Sequence, residues 1–319
     1  MHEFELIKKY FSKLSNLNKY SLNLNDDVFF DKKKGLVISI DTYNEKSHFL
    51  DFKRPDLVIK KIIRSSISDL ICKGVVPKFY FISGSGDKKT FSKNNLSKIS
   101  SSLKQEQKKY KILLCGGDTT FSKKLSFSIT SVGYSKKIIY RNKAKIDDDI
   151  YVTGNLGDSF VGLRILQNKI RFKNNKKNYF IKKYFLPEIQ INLPKELLKF
   201  ANTSIDISDG LFDDLDKMIN MQNLSYKVYE DKIPISKTLL SFLKKNKLSK
   251  SKFISNGDDY QVLFTASVDS NRIILNTSKK LGIKISKIGK IIPNNQQSVV
   301  IGEKGKQLLV KNKGYRHQF

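Results

Sequence analysis

PDLVIKKIIRSSISDLICKGVVPKFYFISGS (55–85) reads as a helix running into a strand. Pro55 suits a first helical turn, and Gly74 suits a helix end. KFYFISGS (78–85) has the apolar and aromatic content of a strand. The alternation continues outward from there. A polar helix over 91–108 leads to KILLCGG (111–117), read as a buried strand, and LSFSITSVGY (125–134) is another strand. On the other side, VFF (28–30) and LVISI (36–40) flank a turn at DKKKG (31–35). FELIKKYFSKL (4–14) has the apolar spacing of a short amphipathic helix. Strands with helices between them put the chain in the α/β class, with α+β character.

The texture changes over 135–149, where SKKIIYRNKAKIDDD is charged. Two domains are expected, 1–140 and 141–319. In the second, DIYVTG (149–154) reads as a strand, GNLGDSFVGLRIL (154–166) as a glycine turn and helix, and 167–184 as an exposed helix and loop. SIDISDGLFDDLDKMI (204–219) reads as strand, turn and helix. Strands are expected at KFIS (252–255), YQVLFTA (260–266), KISKIGKII (284–292) and VVIG (299–302), in a mostly antiparallel sheet.

The 319 residues are 39% hydrophobic and 11% aromatic, enough to build cores. No apolar run approaches the ~18 residues that a membrane helix needs. The start of the chain has no apolar signal region. Two cysteines, Cys72 and Cys115, make neither a disulfide framework nor a zinc knuckle. A cytoplasmic protein is expected, with no membrane partner. The net charge of +30 comes from lysines scattered over the whole length, without a clustered basic–aromatic patch. That pattern fits a codon bias better than a nucleic-acid surface. The field would also steer a phosphorylated substrate.

Acids are scarce here, yet they gather at the ends of apolar stretches. Asp41, Asp69, Asp118, Asp206, Asp209, Asp258 and Asp259 all stand there. In open α/β folds the carboxyl ends of strands face the ligand. Converging acids repel unless a cation joins them, and Mg²⁺ prefers such hard oxygen ligands. Gly116-Gly117-Asp118-Thr119-Thr120 follows a strand, where backbone N–H groups can cradle an anion. GSGDKKT (84–90) lacks P-loop spacing, and three histidines without a metal motif argue against zinc hydrolysis.

These strings, taken together, resemble the thiamine-monophosphate kinase family, of the fold shared with aminoimidazole ribonucleotide synthetase and selenophosphate synthetase. The resemblance is collinear through EFELIKKYF (3–11), NDD (25–27), VISID (37–41), SISDL (66–70), CGGDTT (115–120), DIYVTGNLGDSFVGL (149–163), IDISDGL (205–211), NGDDYQVLFT (256–265) and GYRHQF (314–319). It implies a two-domain fold of the aminoimidazole ribonucleotide synthetase type. An N-terminal sheet-plus-helix domain would bind ATP and magnesium and dimerise by strand pairing. A C-terminal α/β domain would complete the cleft. The implied reaction is ATP-dependent phosphorylation of thiamine monophosphate by a homodimer. The resemblance makes Asp27, Ser39, Asp41, Asp69, Asp118, Asp206 and Asp209 the Mg²⁺ ligands. Asp41, Asp118 and Asp209 are then central to catalysis. Gly117, Asp118, Arg141 and Ser208 match ATP-contacting positions, and His48, Asp258 and Tyr315 match positions near the thiamine.

The chain departs from the family pattern at Leu24-Asn25, Ile40, Ser66 and Asp258, which touches substrate affinity more than the metal set. Two rival readings are another ATP-dependent enzyme of the superfamily and a basic nucleic-acid-binding protein on a degenerate kinase scaffold. A selenophosphate synthetase would need a reactive N-terminal cysteine, and none precedes Cys72.

Overall fold

The computed structural model describes residues 3–302 and 305–315. Its first half is a five-stranded sheet in the order β1-β2-β5-β3-β4. The strands are β1 (Phe29–Asp31), β2 (Leu36–Asn44), β3 (Pro77–Gly86), β4 (Leu113–Phe121) and β5 (Ser126–Tyr134). Only β3 and β4 run parallel. Between β2 and β3 lies helix α2 (Pro55–Cys72), and between β3 and β4 lies α3 (Lys93–Tyr110).

Helix α2 starts at Pro55 and is buried almost all round, from Val58 to Ile71. It packs on β2 and β5 and also touches β7 and β9 of the second half. The largest buried cluster accordingly runs from Ile59, Ile62 and Ile129 through Tyr184 to Tyr151 and Phe264. One continuous core thus ties the two halves together.

The second half is a seven-stranded sheet, β12-β11-β8-β10-β6-β9-β7. Its strands are β6 (Asp149–Thr153), β7 (Ala201–Asp206), β8 (Leu224–Tyr229), β9 (Val262–Ala266), β10 (Ile285–Pro293), β11 (Val299–Ile301) and β12 (Gln307–Leu308). The pairings are antiparallel apart from β8 with β11. Helices α4 (Asp158–Leu166), α5 (Asn174–Phe185), α6 (Pro194–Leu197), α7 (Leu211–Met218), α8 (Lys237–Asn246), α9 (Ser251–Ile254) and α10 (Asn271–Leu281) surround it. No helix among the described residues is long and apolar enough to cross a membrane.

Four sequence expectations are corrected. KILLCGG is not a buried strand: all nine residues of β4 are exposed, because β4 ends the sheet order. KFIS is not a strand; it forms most of the single turn of α9, burying Phe253 and Ile254. The opening FELIKKYFSKL is not one helix. Four residues of α1 (Glu3–Leu6) pass into a π turn and a 3₁₀ turn, with Tyr10, Phe11 and Leu14 exposed. The stretch 167–184 is not wholly exposed, since Phe180 and Tyr184 of α5 are buried.

A buried ion pair joins α2 to α3. The Arg64 Nε and Nη2 groups donate to Glu106 at 2.8 and 3.0 Å, and Arg64 Nη1 donates to the Pro187 carbonyl at 3.2 Å. Arg64→Met strands a buried carboxylate, so it is expected to cost roughly 3–5 kcal/mol, read from the urea midpoint. Adding Glu106→Leu is expected to recover most of that loss.

Candidate active site

Three aspartates meet where the two sheets face each other across α2. Asp41 lies on β2, Asp69 near the end of α2, and Asp206 ends β7. Hydroxyls hold them. Ser39 Oγ donates to Asp69 Oδ2. Ser68 Oγ donates to Asp206 Oδ2 at 2.8 Å, and the Tyr43 hydroxyl donates to Asp41 Oδ2 at 3.2 Å.

Burial raises the proton affinity of all three acids. Burial, then the charge of Asp206, pushes Asp41 up to about 7. Burial, then Asp41 and Asp206, lifts Asp69 well above the carboxylate range. Burial lifts Asp206 as well, against the Ser68 hydroxyl and the Arg141 charge, with Asp209 adding to the rise. Carboxylate and hydroxyl oxygens of this kind suit a hard divalent cation, whose charge would relieve the repulsion.

Asp27 stands differently. Lys73, fully buried, reaches Asp26 Oδ1 at 2.7 Å, Asp27 Oδ2 at 2.8 Å and the Ser204 carbonyl at 2.8 Å. Arg141 pairs with Asp27 through Nη2 and, at 3.2 Å, through Nε; its backbone N–H donates to Asp26 Oδ2 at 2.9 Å. Two acids and two bases thus close the floor of the site. Arg141 also feels the charges of Asp206, Asp209 and Asp214.

Asp209 follows β7 and leads into α7. The backbone N–H groups of Asp209 and Gly210 donate to Asp214 Oδ2 at 3.0 and 2.9 Å. Asp209, Asp213 and Asp214 offer ligand oxygens within 4.8 Å of one another. Lys217 already pairs with all three. One lysine stands there against three carboxylates, and burial, against the Lys217 charge, still pushes Asp214 up to about 7. The Tyr315 N–H donates to the Asp209 carbonyl at 2.9 Å, which docks the chain end here with its ring half exposed. Arg316 to Phe319, the rest of the GYRHQF string, lie outside the described residues.

Ser208 and Asp258 meet through backbone. The Asp258 N–H donates to the Ser208 carbonyl at 2.9 Å. A Cβ on Gly257 would lie 1.7 Å from that same carbonyl oxygen, so only glycine lets the two loops close. His48 Nδ1 accepts from the Asn44 N–H at 3.0 Å, and its ring stands edge-on to Tyr43 at 5.7 Å. It therefore sits one side chain away from Asp41.

Gly117 and Asp118 are set apart. A Cβ on Gly117 would fall 1.7 Å from the Ile82 oxygen, so this edge strand needs glycine there. Asp118 lies level with Ser83, Ser128 and Thr42 across the sheet. Three strand spacings separate it from β2, roughly 14 Å. Within one chain the structure does not bring it to the other acids.

The comparisons with known proteins follow this geometry. The family model described as AIR synthase related protein, N-terminal domain, matches residues 25–135. The thiamine-monophosphate kinase of Buchnera aphidicola subsp. Acyrthosiphon pisum is 36% identical, over 99% of this chain and 98% of its own. This chain belongs to the thiamine-monophosphate kinase family. The Escherichia coli relative is 30% identical over 99% of this chain and 98% of its own. A solved structure of AaThiL complexed with AMPPCP and TMP superposes with a TM-score of 0.83 at 26% identity, covering 99% of this chain and 97% of that one. The kinase fold expected from the sequence is the one observed.

Sequence reasoning missed Lys73, Asp26, Lys61, Tyr43 and Ser68. Lys60 and Lys61 both interrupt the apolar run Val58–Ile63, and the string does not say which of them is buried.

A pH dependence follows from Asp41. Its folded value, about 7, lies above the ordinary 3.8, so the folded state holds the extra proton between them. Ligand-free stability from this group is therefore present below the ordinary value and lost as pH rises toward the folded one. Melting temperatures of the wild type minus those of Asp41→Asn are expected to fall over that window and level off above it. Millimolar Mg²⁺ at pH 8 is expected to raise the wild type and leave Asp41→Asn little changed.

Proposed function

We propose that this chain transfers the γ-phosphoryl group of ATP to thiamine monophosphate, giving thiamine diphosphate and ADP. The observation that carries this reading is the set of half-buried Asp41 and Asp69 with buried Asp206, drawn from both halves in a member of this kinase family. The bond between the γ-phosphorus and the β–γ bridging oxygen breaks, and one forms to an oxygen of the acceptor phosphate. That phosphate is already ionised, so no strong base is required. The transition state is loose, and positioning with charge neutralisation supplies most of the rate.

Asp41, Asp69 and Asp206, with the Ser39 hydroxyl, would hold Mg²⁺. Magnesium, when bound, would supply positive charge against the phosphates. Asp209 faces the same cleft from the start of α7. Arg141 and Ser208 would meet ATP phosphates, Arg141 by turning from Asp27, while Lys73 holds Asp26 and Asp27. His48, Asp258 and Tyr315 form the thiamine end. Residues 1–140 would then be the ATP-, magnesium- and dimer-forming domain and 141–319 the domain closing the cleft. The enzyme would act in the cytoplasm, on ATP and a phosphorylated acceptor.

A homodimer explains Asp118. The free edge of β4 exposes Leu113, Leu114 and Phe121, while β1 pairs with β2 only as far as Ile38 and leaves Ile40 exposed. A second copy laying β4 along residues 39–44 of β2 would bring its Asp118 and Gly117 to Asp41.

Purified protein is expected to convert thiamine monophosphate and ATP only with Mg²⁺; no turnover then defeats the proposal. Asp69→Asn and Asp118→Asn are each expected to cut kcat by about 10²-fold or more. Mixing inactive Asp41→Asn with inactive Asp118→Asn protein, after subunit exchange, is expected to restore about a quarter of wild-type activity. Recovery requires that one site draw on both chains, so its absence removes the shared site.

A further inference from the structure

Lys61 is buried to 1% exposure in the middle of α2. Its Nζ pairs with Asp258 Oδ1 at 2.7 Å and lies 3.6 Å from the centre of the Tyr184 ring. The Tyr260 hydroxyl donates to the same Oδ1 at 3.1 Å. The ion pair and the hydrogen bond fall on one oxygen, the Lys61 Nζ makes no hydrogen bond of its own among the described residues, and the Asp258 side chain stays 24% exposed. Asp258 and Tyr260 hold left-handed φ angles of 69° and 49°. That conformation costs a non-glycine residue energy, and it persists where surroundings enforce it.

Stability alone does not account for Lys61. Removing an ammonium from water is expensive, and one partly exposed carboxylate does not repay it. A methionine there would fill the space over Tyr184 at lower cost. What the ammonium supplies is direction: with Oδ1 held from below, the loop is fixed and Oδ2 is the oxygen left for a ligand. Lys61 comes from the first half of the chain, Tyr184 from α5, and Asp258 from the loop beside Ser208. The three together tie the acceptor end of the cleft to the helix that carries Asp69.

We propose that Lys61 is a positioning residue for the acceptor substrate, aiming Asp258 Oδ2 at the cationic heteroaromatic end of that substrate. This rests on Asp258 meeting the thiamine moiety. Lys61 touches no reacting atom; it acts through Asp258.

The test is a double-mutant cycle on Lys61→Met and Asp258→Asn, reading KM for thiamine monophosphate and for ATP, and Kd for thiamine monophosphate by calorimetry. Each single change is expected to raise the thiamine monophosphate KM and Kd by about 10-fold, leaving the ATP KM within about 2-fold. Together they are expected to be no worse than Asp258→Asn alone. Multiplying effects, or an equal rise in the ATP KM, would mean a general structural role and overturn the proposal. Tyr260→Phe removes the second donor to Oδ1 without touching the buried charge. A rise of about 3-fold in the thiamine monophosphate KM is expected from it, whether or not Lys61→Met folds. Unchanged KM in that variant counts against the proposal. If wild type binds thiamine monophosphate and Lys61→Met binds it equally well, the proposal falls and the kinase reading stands. If wild type binds none, both fall.

Discussion

Carboxylates crowd together in a poorly solvated cleft only when the backbone beneath them is held. Here a buried cross of charges does the holding: Lys73 and Arg141 against Asp26 and Asp27. The Lys73 ammonium has three acceptors, two on the loop before β1 and one on β7. It therefore pins the first and second halves to the end of α2. Beside this neutralised quartet, Asp41, Asp69 and Asp206 stand without an equivalent partner, and their proton affinities rise. One set of acids is held by cations, and the adjoining set is held by hydroxyls.

Helix α2 links these parts. From one helix, Lys61 reaches the loop at Asp258, Arg64 pairs with α3, Ser68 binds Asp206, and Asp69 faces Ser39. Ser66, where the family pattern differs, meets Ser131 of β5 at 2.9 Å, so its hydroxyl has a partner in the sheet. A helix buried nearly all round can hold polar groups on several sides because each finds its partner on a different element.

Much of this was legible in the sequence, for physical reasons. SIDISDGL places Asp206 at the end of β7 and Asp209 just beyond it, as its strand-then-turn pattern reads, whereas Asp118 of CGGDTT lies inside β4, which runs on to Phe121. What sequence could not give was partnership. β4 is apolar enough to read as core, but burial depends on its neighbours, and it has a strand on one side only. KFIS is too short for periodicity to separate strand from helix. Lys61 and Lys73 are hidden among sixty basic residues, and nothing local distinguishes a buried lysine from a solvated one.

The rigidity of α2 sets a distance. Lys61 and Asp69 are eight residues apart on one unbroken helix, a rise of roughly 12 Å. If the organic ring is held at Asp258 and the phosphate at Asp69, both grips would be fixed to a single rod. The helix would then gauge acceptors by their span.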